Sequence, residues 1–159
     1  APLGVGVVEV GRAPLACLAP PAMLADLAGP VRFDDLAGRP MVGLEENEPL
    51  GRLLGAHFHG RGATPSVVAR AQTYRLACDL AARGLGVAVV DGFTAANVMR
   101  GDQSLKVLPF EPEASLPVTA VYPLAQGAPL AARRMIAAFE TALADARSDL
   151  AAIGLAAAS

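Results

Sequence analysis

Apolar positions along the chain fall into short runs separated by proline, glycine and acidic punctuation. Val5–Val10 reads as a strand, and Ala13–Ala19 as a second apolar strand stopped by Pro20 and Pro21. Met23–Ala28 reads as a short helical turn closed by Gly29-Pro30. Val31-Arg32-Phe33 then leads into Asp34-Asp35-Leu36-Ala37-Gly38, where the aspartates can cap a single turn. Met41–Leu44 is a short strand ending in the acidic loop Glu45-Glu46-Asn47-Glu48-Pro49. Leu50, Leu53, Leu54 and Phe58 recur at helical spacing until Gly60 and Gly62 end the pattern.

The valine-rich stretch Pro65–Ala71 predicts a strand, and Thr73 caps a helix over Tyr74–Arg83 that places Leu76 and Leu80 on one face and ends at Gly84. Val87–Val90 is a wholly apolar strand of the kind buried in parallel sheets. Thr94–Met99 predicts a short helix, and Leu105–Leu108 and Leu116–Tyr122 predict strands. A long final helix, about Ala131–Ala146, is expected to bury Ala132, Met135, Ile136, Phe139 and Leu143, followed by an Ala-rich frayed tail beyond Ser148. Strands alternating with helices across short loops describe an α/β fold with mainly parallel pairing. Pro20-Pro21 and Phe110–Ser115 are the expected crossing points between two lobes.

Composition changes this picture mainly by exclusion. With 53% hydrophobic residues over 159 positions, the chain can build a core. Its net charge is −2 and it carries no Lys/Arg-rich arm, so this segment is a poor candidate for gripping nucleic acid itself. Cys17 and Cys78 lie in apolar contexts without C-x-x-C spacing and read as buried reduced thiols, which suits the cytoplasm. No apolar run approaches the roughly 18 residues that span a bilayer.

Three stretches in order resemble the effector-binding domain of LysR-type transcription regulators. They are Arg12-Ala13-Pro14-Leu15-Ala16-Cys17-Leu18-Ala19-Pro20, then Val31-Arg32-Phe33-Asp34-Asp35-Leu36-Ala37-Gly38-Arg39-Pro40, which is similar to the family's "v…dLag.p" signature, and Arg83-Gly84-Leu85-Gly86-Val87-Ala88-Val89-Val90, similar to its "GlGia.lp" turn. The resemblance implies two Rossmann-like lobes of the type II periplasmic-binding-protein kind, the first incomplete: residues 1–19 and 116–147 form part of the first lobe, 20–115 the second, and 148–159 a flexible tail. It implies a cytoplasmic sensor without cofactor, a homodimer or tetramer, whose small-molecule effector sits between the lobes. DNA is reached only through a winged helix-turn-helix domain outside this sequence. Two departures stand out: Ala22-Met23-Leu24-Ala25 replaces the common His-Pro-Leu-Ala, and Asp91 stands where proline is frequent.

Candidate ligand residues are Thr73, Glu46, Asn47, Asp91 and Phe93. Thr73 precedes a helix whose free N–H groups suit a carboxylate, though a plain N-cap explains it equally. Glu45, Glu46 and Asn47 follow a strand end, where open α/β sheets bind ligands, and acidic groups there favour an ammonium-bearing effector such as an amino acid; solvated acidic loops are common. Asp91 and Phe93 follow the next strand, where Asp91 can instead serve an Asx-turn. His57 and His59, two apart on a helix, face different ways and suit surface or subunit contacts better than a shared metal. The family pairs this helix, Leu50–His59, with a second subunit.

Gly84-Leu85-Gly86 follows a helix and precedes a strand, the reverse of a dinucleotide fingerprint, and reads as a tight turn. No nucleophile elbow or supported Cys/His pair suggests catalysis. The alternatives are a periplasmic solute-binding protein of an uptake system, an α/β enzyme such as a dehydratase built on the same cleft, and a truncated regulator that retains subunit contacts without a formed pocket.

Overall fold

The computed structural model describes residues 4–62, 64–123 and 130–155. In chain order the elements are β1 (Val5–Ala19), β2 (Pro40–Leu44), α1 (Pro49–Phe58), β3 (Ser66–Ala71), α2 (Tyr74–Ala82), β4 (Val87–Asp91), α3 (Gly92–Gly101), β5 (Lys106–Pro123) and α4 (Leu130–Ala152). Single 3-10 turns, Pro21–Leu24 and Phe33–Leu36, lie between β1 and β2.

The five strands form one sheet in the order β3-β2-β4-β1-β5. β2 runs parallel to both β3 and β4, whereas β1 is antiparallel to β4 and to β5. The expectation of mainly parallel pairing is therefore corrected to a mixed sheet. Parallel neighbours need a crossover, which α1 and α2 supply; β1 and β5 sit beyond those crossovers and pair head to tail.

β1 is one strand where the sequence suggested two. Gly11 and Arg12 interrupt the apolar rhythm, but a register shift between Glu9 and Gly11 carries the pairing through. β5 likewise joins the two strands expected at Leu105–Leu108 and Leu116–Tyr122, so Phe110–Ser115 lies within a strand. Opposite it, pairing steps from Pro14↔Ser115 to Leu15↔Phe110. Below that step β1 and β5 form a two-stranded ribbon; above it, Leu15–Leu18 also pair with β4 inside the sheet.

Burial follows this division. Leu15–Ala19 and all of Val87–Asp91 are buried, because helices cover these central strands. Val31, Leu36, Leu50 and Phe110 complete the same core, and Leu24 closes it at the first 3-10 turn. Lys106 donates from Nζ to the carbonyls of Leu24 (2.8 Å) and Leu27 (2.5 Å), satisfying groups that end that turn. In the second turn Asp35, and not Asp34, takes the capping role: its carboxylate accepts the Arg32 N–H at 2.8 Å. Arg39 ties the two turns together, donating to the carbonyls of Asp35 (2.6 Å) and Met23 (3.0 Å) and pairing with Asp26.

Two helices bury other residues than their spacing suggested. On α2 the buried face is Ala77, Cys78 and Ala81, while Leu76 is exposed and Leu80 half-buried. Small side chains let this helix lie close over β2 and β4. On α4, Met135 is 74% and Phe139 58% exposed, Ala132, Ile136 and Leu143 are half-buried, and Leu150 is buried. The N-terminal part of α4 has only the narrow ribbon beneath it, too little surface to cover a full helical face. The tail expected from Ser148 is corrected as well: the helix continues to Ala152, and Leu150 and Leu155 are buried. Residues 156–159 lie outside the described residues.

Leu18→Ala should lower unfolding stability by about 2–5 kcal/mol in a urea titration, since it empties a fully buried site. Met135→Ala should change it by no more than about 0.5 kcal/mol. Equal losses in the two variants would contradict this account of the core.

Candidate functional site

β2 lies between β3 and β4, so the chain leaves β2 through α1 to one side and returns through α2 to the other. Ligands of open α/β sheets sit beyond the carboxyl ends of the strands at such a reversal. Here those ends lead directly into α1, α2 and α3, bringing three helix starts to one end of the sheet. Close packing at both ends of the sheet depends on glycine: a Cβ on Gly51 of α1 would lie 2.1 Å from the Glu45 carbonyl oxygen at the carboxyl end of β2, and one on Gly86, at the opposite end, would lie 2.8 Å from the Pro40 backbone. Neither position accepts a larger residue without moving main chain.

The predicted residues occupy this end in different ways. Thr73 is the exposed N-cap of α2, its hydroxyl accepting the Leu76 N–H at 3.2 Å. Asp91 is the buried N-cap of α3, accepting from the Thr94 N–H (2.9 Å) and the Thr94 hydroxyl (2.6 Å). Asn47 is exposed, and its carbonyl accepts from Arg52 at 2.5 Å. Glu46 turns toward the sheet edge, 3.6 Å from Arg70, while Arg70 also donates to the Leu44 carbonyl at 3.0 Å. Both members of that ion pair are largely exposed, so it adds little stability.

Phe93 points the other way, into a groove of about 590 Å³ between α3 and α4 that Asn97, Arg100, Asp149 and Ile153 also line. Thr73, Asn47 and Asp91 thus share the strand ends, with Glu46 and Phe93 on opposite flanks.

Tyr74 was missed by the sequence reading. As the first residue of α2 it is half-buried, and its hydroxyl pKa is raised, chiefly by burial and then by the charges of Asp91 and Glu48, against an opposing hydrogen bond from the Leu50 backbone. It stands at the start of α2, within reach of the charges of Asp91 and Glu48. Only its position directly after a cap residue hinted at this in the sequence.

His57 is not a free surface residue. Its ring stacks on Phe33 at 3.6 Å and meets Phe58 edge-on at 5.3 Å, and its Nε2 is buried without a hydrogen-bond partner among the described residues. His59 is exposed. Among the described residues no three His, Cys, Asp or Glu side chains gather as metal ligands. Both cysteines are free and buried, and burial pushes each thiol pKa up to about 12.

The family model for the LysR substrate binding domain matches residues 1–144. The chain belongs to that family. A curated relative, the HTH-type transcriptional regulator DgcR of Pseudoalteromonas sp, is 25% identical over 119 residues, which span 75% of this chain and 40% of the relative. The C-terminal domain of a probable LysR family transcriptional regulator from Rhodococcus sp. RHA1 superposes with a TM-score of 0.63 at 24% identity, covering 89% of this chain and 69% of that one. The BenM effector binding domain with its effector benzoate gives 0.62 at 17% identity, covering 89% and 67%. These likenesses establish the type II periplasmic-binding-protein fold for this LysR domain. No helix among the described residues is long and apolar enough to cross a membrane.

Two measurements test this geometry. Asp91→Ala should destabilise the domain by about 1–2 kcal/mol and Thr73→Ala by about 1 kcal/mol or less, because the first cap is buried and doubly bonded. Stability should also fall as pH rises. The folded thiol pKa values, about 12, exceed the unfolded value near 9, so the unfolded state loses protons first above pH 9. A pH–stability curve that is flat from pH 9 to 11, or rapid thiol labelling of the native chain at pH 8, would contradict the buried thiols.

Proposed function

We propose that the chain is the effector-sensing part of a LysR-type transcription regulator, acting in the cytoplasm and not as an enzyme. A small molecule is held between two lobes, and the resulting change of lobe arrangement is passed to a winged helix-turn-helix DNA-binding domain outside this sequence. The observation that carries the reading is the family match over residues 1–144, set on a sheet whose three helix starts converge at its strand ends. The chain's low net charge supports DNA contact through another domain. Family membership favours this reading over an exported solute-binding protein of similar architecture.

We place the lobes at the expected segments, 1–19 with 116–147 and 20–115, except that Leu15–Leu18, paired with β4, enter the sheet of the second. Support comes from the ribbon and α4, whose exposed Val7, Val121, Met135 and Phe139 form an apolar surface suited to burial against the rest of a first lobe. A homodimer or tetramer is the expected assembly, with α1 among the contacting elements.

Thr73, Asn47 and Asp91, with Tyr74, are the proposed ligand wall, and Glu46 and Phe93 its flanks. The helix starts favour a carboxylate, and Glu45, Glu46 and Glu48 favour an ammonium group. Both signs close together suit an amino-acid-like effector, with simple carboxylates next; benzoate in the BenM domain is one such carboxylate. Sensing requires that the effector bind one lobe arrangement more tightly than the other.

A thermal-shift screen with amino acids and small carboxylates tests this. An effector at 100 times its dissociation constant should add about 2.7 kcal/mol of stability, and Thr73→Ala should weaken the response. Absence of any shift, both in this chain and in a chain that includes the whole regulator, would sink the sensing role.

A further inference from the structure

Among the described residues, Glu111 is the single non-glycine with a positive φ, 35°, and it stands where the ribbon leaves the sheet. The register passes from Phe110 to Ser115 and leaves residues 111–114 without partners on β1. A left-handed backbone is disfavoured for a glutamate and persists where its surroundings hold it. Here the holding contacts come from Val31–Phe33. The Glu111 N–H donates to the Val31 carbonyl and the Val31 N–H to the Pro109 carbonyl, both at 2.8 Å, around a single bridge between Val31 and Phe110. The side chain then reaches the same segment. Its Oε1 accepts the Phe33 N–H at 2.8 Å, its Oε2 lies 3.7 Å from Arg32, and only 20% of the side chain is exposed. Phe33 in turn lies flat on His57 of α1 and edge-on to Phe110 at 4.9 Å.

We propose that Glu111 is a positioning residue for lobe movement. Its carboxylate clips the bent return strand to the Arg32–Phe33 turn and so sets the angle at which the ribbon and α4 leave the sheet. Through Phe33 and His57 the same clip links that angle to α1. The consequence for sensing rests on the two-lobe reading above; the geometric role does not.

The test uses spin-label distances in the 159-residue chain, with Val68→Cys on β3 and Val121→Cys on the ribbon, both exposed in the native protein. The native thiols are buried and stay unlabelled. Glu111→Gly and Glu111→Asn both tolerate the left-handed backbone but cannot reach Phe33, whereas Glu111→Gln keeps an acceptor oxygen. The parent and the Gln variant should give one narrow distance distribution, and the Gly and Asn variants a broadened and displaced one. The Phe33 amide should exchange roughly ten times faster in the Gly and Asn variants, as expected for a lost hydrogen bond to a charged acceptor. If Glu111→Gly does not fold, Glu111→Asn carries the comparison. Unchanged distances in a folded Gly or Asn variant would overturn the proposal, even with faster Phe33 exchange, because Glu111 would then be only a local cap. No ligand is present in this experiment, so its outcome is independent of the effector screen.

Discussion

β1 has to satisfy two partners at once, and the placement of every other element follows from how it does so. Its upper half, Leu15–Leu18, is hydrogen-bonded to β4 on one edge and β5 on the other, while its lower half has β5 as its ladder partner. The upper half is apolar at every position because helices close over the sheet there. In the lower half exposed and covered positions alternate, as in a strand with one face on a helix. A single strand therefore changes its pattern where its environment changes, at Pro14 and Leu15.

The carboxyl ends of β2, β3 and β4 lie at the end of the sheet from which the ribbon departs, and their helix caps are the residues we propose as a ligand wall. Thr73 and Asp91 each satisfy a helix start with a side-chain oxygen, and Gly51 allows the first turn of α1 to approach the end of β2. Tyr74, the first residue of α2, is half-buried beside them. Stability and recognition are hard to separate at such a place, since removing a cap both loosens the helix and exposes the amides it covered.

What the sequence made legible was punctuation. α1, α2 and α3 begin and end within a few residues of the positions marked by Pro49, Thr73, Gly84 and Asp91, and β4 was evident from four consecutive apolar residues. The ordered motifs around Arg12, Val31 and Arg83 were enough to identify the family. The long strands were not legible, because a bulge at Gly11 and prolines along β5 look like breaks although an edge strand accommodates them. Helical spacing on α4 located a shared face but not what would cover it, so Met135 and Phe139 were misassigned to the core. Tyr74 and Glu111 escaped notice for the same reason. Their surroundings come from distant parts of the chain, and nothing in the adjacent residues reports them.

Joining the first strand to the last also has a consequence for how the polypeptide acquires its shape as it leaves the ribosome. β2, α1, β3, α2 and β4 can assemble from near neighbours in the chain, but Leu15–Ala19 emerges before its partners and then waits. One edge is filled only after residue 91 has appeared, and the other only after residue 110. Such non-local closure is slow, and an apolar strand left open meanwhile is a site for mispairing with other nascent chains. The same β1–β5 pairing that unites the finished domain thus leaves its most apolar strand open for longest during synthesis.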